Sequence, residues 1–215
     1  MLLLPMLYLP PVSYMALLCA AGEVQIEAHE NYIKSSYRNR CEISGANGII
    51  TLSIPLEGGR DHHRLYSESQ ISYADAWQHR HHMSILSSYG SAPFYEHYEH
   101  YFRPFYERRY DTLYEFNKDL LTLIARLMKL DVRIGYTDVF AKESGDKTDL
   151  RNAFKPNRQI SELTIRQKKW HLQEVPYIKV FGEVNALSTN LSCLDLLFNT
   201  GPESKSILRQ MVSIS

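Results

Sequence analysis

The apolar positions of this chain change period along its length, and each change marks an element. Residues 2 to 8, LLLPMLY, form a near-continuous apolar run of the kind a strand buried on both faces carries. Pro10-Pro11 then turn the chain, and VSYMALLCAA, from Val12 to Ala21, reads as a buried helix ended near Gly22. The next stretch, EVQIEA, alternates and predicts a second strand, so the chain opens strand-helix-strand, a unit that makes two parallel neighbours joined by a crossover helix. RNRCEISGANGIITLSIP follows as two alternating runs around Asn47-Gly48, which predicts an antiparallel hairpin over about 38–55. With Asn47-Gly48 as its loop, Ile43 pairs with Leu52 and Cys41 with Ile54. Cys41, Ile43, Ile50, Leu52 and Ile54 then share an apolar face, and Arg38, Arg40, Glu42, Ser44, Thr51 and Ser53 a polar one.

Residues 57–70 have no apolar period and read as a loop or lid. A helical region spans about 75–130; in its last part Leu113, Phe116, Leu120, Leu121, Ile124 and Leu127 recur at helical spacing. DVRIGYT is a predicted strand, 141–160 a polar loop, and YIKVF a further strand. NLSCLDLLFNTGPES predicts a short buried helix, capped by Asn190 or Ser192 and stopped at Gly201-Pro202. The fold class is therefore α/β: a mixed sheet opened by the strand-helix-strand unit, with a hairpin and a helical region, in one domain over 1–215. No repeat, low-complexity tract or membrane span is read.

Charge narrows the partners. Lysine plus arginine equals aspartate plus glutamate at 24 each, so no global field draws in nucleic acid or an anionic membrane. Any anion site must be local. The three cysteines, Cys19, Cys41 and Cys193, are far apart among apolar neighbours, as buried thiols in a reducing compartment are. The N-terminal stretch lacks a basic residue before its apolar run and is broken by Pro5, Pro10 and Pro11, so a strand and helix are preferred there over a signal peptide and a cytoplasmic location is expected.

Three groups of residues invite chemistry. His79, His81, His82, His97 and His100 lie near Glu96 and Glu99, but without a zinc spacing that includes a third ligand; they read as a polar helix face, and neither metal nor cofactor is expected. The aromatic run YGSAPFYEHYEHYFRPFYERRY is either a stacking platform or a core stripe, and Phe94, Tyr98 and Tyr101 or Phe102 at helical spacing favour core. GxSxG, Walker and GxGxxG signatures are absent. Arg-Asn-Arg at 38–40 is by default a solvated pair of arginines near Glu42. Asn39, however, shares a face with Cys41 and Ile43, so its amide is buried and must find partners, in the first strand or the Pro10 turn. The alternation would project Arg38 and Arg40 from one face, roughly 6.5 to 7 Å apart, close enough to converge on adjacent phosphates. These arginines are expected to line one cleft with Lys34 and His81.

Several stretches together resemble the WbqC-like family: YLPPVSY, ENYIKSSYRNRCEISGANG followed by LSIP, the Trp77 to Tyr98 segment around His81, FYE..Y..LYEFN, and NLSCLDLLFNTGPES. The resemblance implies a cytoplasmic bacterial protein associated with O-antigen or other surface-polysaccharide gene clusters, with glycosyl, acyl or aminoacyl transfer as the activity. The family pattern falls on Tyr8, Pro10, Lys34, Arg38, Asn39, Arg40, His81, Tyr89, Asn190, Ser192 and Asp195. It implies His81 as general base, Lys34, Arg38 and Arg40 on the phosphates of a nucleotide-activated small-molecule substrate, and Asn39 and Asp195 orienting the others. Tyr8, Asn39, Tyr89, Asn190 and Ser192 would complete the substrate site. A non-catalytic ligand-binding or scaffold protein of the same pathway is the alternative. The chain departs from the family pattern at Lys179, Ala186-Leu187 and Asn157, which would alter specificity where those residues meet a pocket.

Overall fold

The structure, a computed structural model, describes residues 1–58, 64–140, 145–156, 162–165, 168–180 and 191–215. Strand β1 (Leu2–Pro5) runs parallel to β2 (Glu23–Glu27), with Leu2 opposite Val24 and Pro5 opposite Glu27, and α1 (Val12–Ala21) crosses between them. Gly22 ends α1 in the left-handed conformation, φ 66°. The apolar run to Tyr8 is buried throughout, yet the strand stops at Pro5. Beyond it the chain turns through Leu9, at φ 40°, so that the Pro10 carbonyl accepts from Cys193 N at 2.8 Å.

The hairpin is β3 (Arg40–Gly45) and β4 (Gly48–Ser53). Its register differs from the expected one. Gly45 pairs with Gly48, Ile43 with Ile50 and Cys41 with Leu52, leaving Ala46-Asn47 as the loop. The positive φ falls on Gly48, at 116°, and on neither loop residue, so the primed Asn-Gly turn does not form. The pairing moves by an even number of residues, which preserves the faces: Cys41, Ile43, Leu52 and Ile54 are buried as the alternation requires, while Ile50, near the tip, is exposed. Arg38 precedes the strand and lies in a turn.

The helical region comprises α2 (Trp77–Tyr89), α3 (Tyr95–Glu107) and α4 (Leu113–Leu127). Thr112 caps α4, its hydroxyl accepting from Glu115 N at 3.2 Å. Tyr95, Tyr98, Phe102, Phe105 and Tyr106 are buried, so the inward face of the aromatic run is core. Strand β5 (Arg133–Tyr136) then joins β2, and β6 (Thr148–Asp149) joins β1, both parallel. The resulting four-stranded order is β5-β2-β1-β6. Successive connections leave β1 toward β2 and β5, then return to its other side at β6, a switch of direction beside β1.

Strands β7 (Glu162–Ile165), β8 (Lys168–Leu172) and β9 (Val212–Ile214) form a further, three-stranded antiparallel sheet that the alternation did not reveal. Tyr177–Val180, expected within a strand, form none; the segment is held instead by side chains on the next helix. That helix, α5 (Cys193–Thr200), is buried along its whole length, and Ser192 caps it by accepting from Leu194 N at 3.3 Å. It packs with α6 (Ser204–Gln210) against α1. Among the described residues no helix is long and apolar enough to cross a membrane.

Candidate functional site

In open parallel sheets the strand ends beside a switch point leave a crevice, because the connecting segments diverge there. Here the last residues of β2 and β6 are acidic, Glu27 and Asp149, and both receive Arg151. Glu27 is fully buried; its Oε2 accepts from Arg151 Nη1 at 3.0 Å and its Oε1 from Thr137 Oγ1 at 2.7 Å and His29 N at 2.9 Å. Asp149 accepts from Arg151 Nε at 3.0 Å and Nη2 at 2.6 Å. The hydrogen bonds from Arg151 hold the Asp149 carboxyl below its ordinary range, against the opposing effect of partial burial.

A second ion pair lies alongside. Arg38 donates from Nε and Nη2 to the two oxygens of Glu30, at 2.7 and 2.6 Å, and from Nη2 to the Arg151 carbonyl at 3.2 Å. Burial drives the Glu30 carboxyl upward and the Arg38 guanidinium opposes it. The turn that carries Arg38 is pinned from three directions. Tyr8 N donates to the Tyr37 carbonyl at 2.9 Å, Asn117 Nδ2 to the Arg38 carbonyl at 2.8 Å, and Asn39 Nδ2 to the Ile54 carbonyl at 2.8 Å. Asn39 is buried as expected, but its amide ties the turn to the end of β4 instead of to β1 or the Pro10 turn.

Against this buried network opens a cavity of ≈ 500 Å³. Lys34, Arg38 and Arg40 come to it from one wall, Arg151, Phe154 and Lys155 from the other. No Asp, Glu, His or Cys lines it among the described residues. Arg40 Nε is shut from solvent with no hydrogen-bond partner, and Lys155 is exposed at the rim. Lys34, Arg38 and Arg40 thus meet at one cavity, although Arg38 is committed to Glu30 and its side chain is only 2% exposed.

His81 is not with them. It is buried in α2, its Nδ1 3.0 Å from Tyr8 Oη, which lies 3.0 Å from Tyr106 Oη. Burial lowers the imidazole to a pKa of about 4, with a hydrogen bond to the Ser53 backbone opposing. A neutral ring can take the tautomer whose Nδ1 accepts from Tyr8. The imidazole reads as a core histidine. Tyr89 and Asp195 form a third cluster: Tyr177 Oη donates to Asp195 Oδ2 at 2.5 Å, Tyr89 also bonds to Asp195, and Ser44 N donates to Tyr89 Oη at 3.2 Å. Burial raises the Asp195 carboxyl, with Tyr177, Lys179 and Tyr89 opposing, and burial lowers the Lys179 ammonium. Ser192 serves as the cap of α5, and Asn190, Ala186, Leu187 and Asn157 lie outside the described residues.

Glu27, Glu30, Asp149, Arg151 and Lys155 were not singled out from sequence. Asp149 and Arg151 are two apart at a strand end, where side chains share a face, but a strand of two residues leaves no alternation to read. Among the described residues no group of three or more His, Cys, Asp or Glu is placed to hold a metal. Of the histidines on α2 and α3, His82 is tied to a carboxylate, its Nε2 3.1 Å from Glu99 Oε1.

Fold and cavity together define an α/β protein whose parallel sheet presents a cationic crevice at its carboxyl edge. The chain belongs to the WbqC-like protein family, whose profile matches residues 6–165. That span contains every residue named above as lining the crevice and stops short of α5. The chain is also similar to "Uncharacterized protein Rv1507c" of Mycobacterium tuberculosis (strain ATCC 25618 / H37Rv), 24% identical over 221 aligned positions covering 94% of each protein. No solved structure matches the chain.

Proposed function

We propose that this protein is a transferase of bacterial surface-polysaccharide assembly that holds a nucleotide-activated or otherwise phosphate-bearing donor in the crevice and passes on its glycosyl, acyl or aminoacyl group. The observation that carries the reading is the convergence of Lys34, Arg40 and Lys155 on one cavity that, among the described residues, no carboxylate lines. Guanidinium and ammonium groups there match phosphate oxygens, and they stabilise the negative charge that grows on a phosphate leaving group as its bond to the transferred group breaks. Arg38 and Arg151, fixed by carboxylates, set the shape of the walls. A cytoplasmic location accords with a nucleotide-activated donor.

A second reading, a non-catalytic binder of the same ligand, is favoured by His81. Its ring is buried against Tyr8 and is not among the residues that line the crevice, so it offers no base to an acceptor there. One experiment bears on both readings. A thermal-shift screen against nucleotide sugars and acyl thioesters should give a hit, because a ligand at about 100 times Kd stabilises the fold by roughly 2.7 kcal/mol. Incubating the hit with candidate acceptors and following donor consumption by mass spectrometry then separates transfer from binding. The absence of stabilisation by any phosphate-bearing compound would count against both.

A further inference from the structure

We infer that the crevice takes a diphosphate group directly on its cations, without a bridging divalent metal. The inference rests on the proposed reading of the cavity as a phosphate site, and names how that phosphate is held. Magnesium is usually kept at a phosphate by one or two carboxylates that share it with the ligand. Among the described residues, the carboxylates bonded to the arginines of this cavity are already engaged. Glu30 gives both oxygens to Arg38; Glu27 gives one to Arg151 and the other to Thr137 and the His29 amide; Asp149 gives both to Arg151. A metal drawn to any of them would compete with the arginine already bonded there, and for Glu27 and Glu30 that bond is buried.

The charge on the walls has the same consequence. A dication entering among Lys34, Arg40 and Lys155 would be repelled, whereas a diphosphate meets in those groups the positive charge that magnesium otherwise supplies. The cations also stand on two separate segments, 34–40 and 151–155, so a ligand with two linked anionic groups can engage both walls where a single phosphate engages one. Arg40 is the sharpest recognition element: its Nε is buried and unpartnered, and a phosphate oxygen is an acceptor that would complete it.

The test is calorimetric titration of the full chain with inorganic phosphate and inorganic pyrophosphate, each in EDTA and in excess magnesium, repeated with Arg40→Lys and Lys155→Gln. Pyrophosphate should bind in EDTA at least tenfold more tightly than phosphate, and magnesium should weaken it by competing for its oxygens. Arg40→Lys should lower pyrophosphate affinity about tenfold or more at an unchanged melting temperature. Lys155, exposed at the rim, can be changed without risk to the fold, and Lys155→Gln should narrow the gap between the two anions. Equal binding of both anions, or pyrophosphate binding untouched by either substitution, would overturn the inference. A nucleotide sugar that stabilises the protein only when magnesium is added would overturn it too, while leaving the proposed donor site standing. Failure of pyrophosphate and of every nucleotide sugar, with and without magnesium, would remove both.

Discussion

Arg38 and Glu30 face each other through two hydrogen bonds of 2.7 and 2.6 Å, with side chains only 2% and 6% exposed. A buried pair of this kind is worth little net against apolar residues of similar size, but losing one partner strands the other as a bare charge. Arg38→Ala is therefore expected to destabilise the fold by about 3–5 kcal/mol, and Arg38→Met with Glu30→Leu by much less. Urea unfolding of the three proteins measures the difference. Equal losses in the single and double variants would mean that the pair does not carry the cost.

The buried His81 makes stability depend on pH. Its ordinary pKa of 6.5 falls to about 4 in the folded protein, so between these values the unfolded chain binds the proton and the folded one does not. The contribution is fully present above pH 6.5 and is lost as pH falls toward 4. At 1.36 kcal/mol per pKa unit it amounts to about 3 kcal/mol. His81→Gln should be less stable at pH 7 and show a flatter decline from pH 7 to 4.5 in urea melts. A parallel decline in both proteins would place the titrating group elsewhere.

The opening unit, the hairpin faces and the long helices were legible because each keeps one apolar period over many residues. The crevice was legible only in part. Arg38 was expected on the surface of a strand, but the chain at 38 is still turning, and a turn does not alternate; the side chain goes inward to Glu30, eight residues back. No local pattern reports such a pairing. The opposite wall was hidden for a different reason: Asp149 and Arg151 owe their positions to β1, a neighbour more than a hundred residues distant in sequence. His81 misled because a histidine in a polar sequence, HRHH, happens to lie on the buried side of α2.

Asn39 is the hinge between the hairpin and the turn that carries Arg38. Its Nδ2 donates to the Ile54 carbonyl at 2.8 Å, and Ile54 N returns a bond of 2.8 Å to the Asn39 carbonyl. Asn39→Ala removes the first bond and leaves a buried acceptor, which should cost about 1–3 kcal/mol. The same substitution should raise amide exchange at Ile54, whose N–H bonds to the backbone of that residue. Hydrogen exchange unchanged at Ile54 would show that the backbone bond holds the junction without the side chain.

Asp195 shows the opposite pH logic to His81. Burial raises its carboxyl above the ordinary value, and the 2.5 Å bond from Tyr177 is the largest influence opposing that rise. A raised carboxyl favours the folded state at low pH, and this contribution is lost as pH rises through the folded value. Tyr177→Phe removes a hydrogen bond to an ionised group, an interaction of roughly 1.5–3 kcal/mol, and so moves the carboxyl further up. The variant should lose stability most at pH 7 and above, where the carboxylate is charged, and progressively less on acidification. Because Tyr177 belongs to a segment with no strand pairing of its own, the loss should also free residues 173–180 from α5. Limited proteolysis would then cut that segment faster in the variant at pH 7. A penalty that is constant with pH would mean that Tyr177 contributes through packing alone, and unchanged proteolysis would show that the Val180 N to Asn199 Oδ1 bond of 3.2 Å is enough to hold the segment in place.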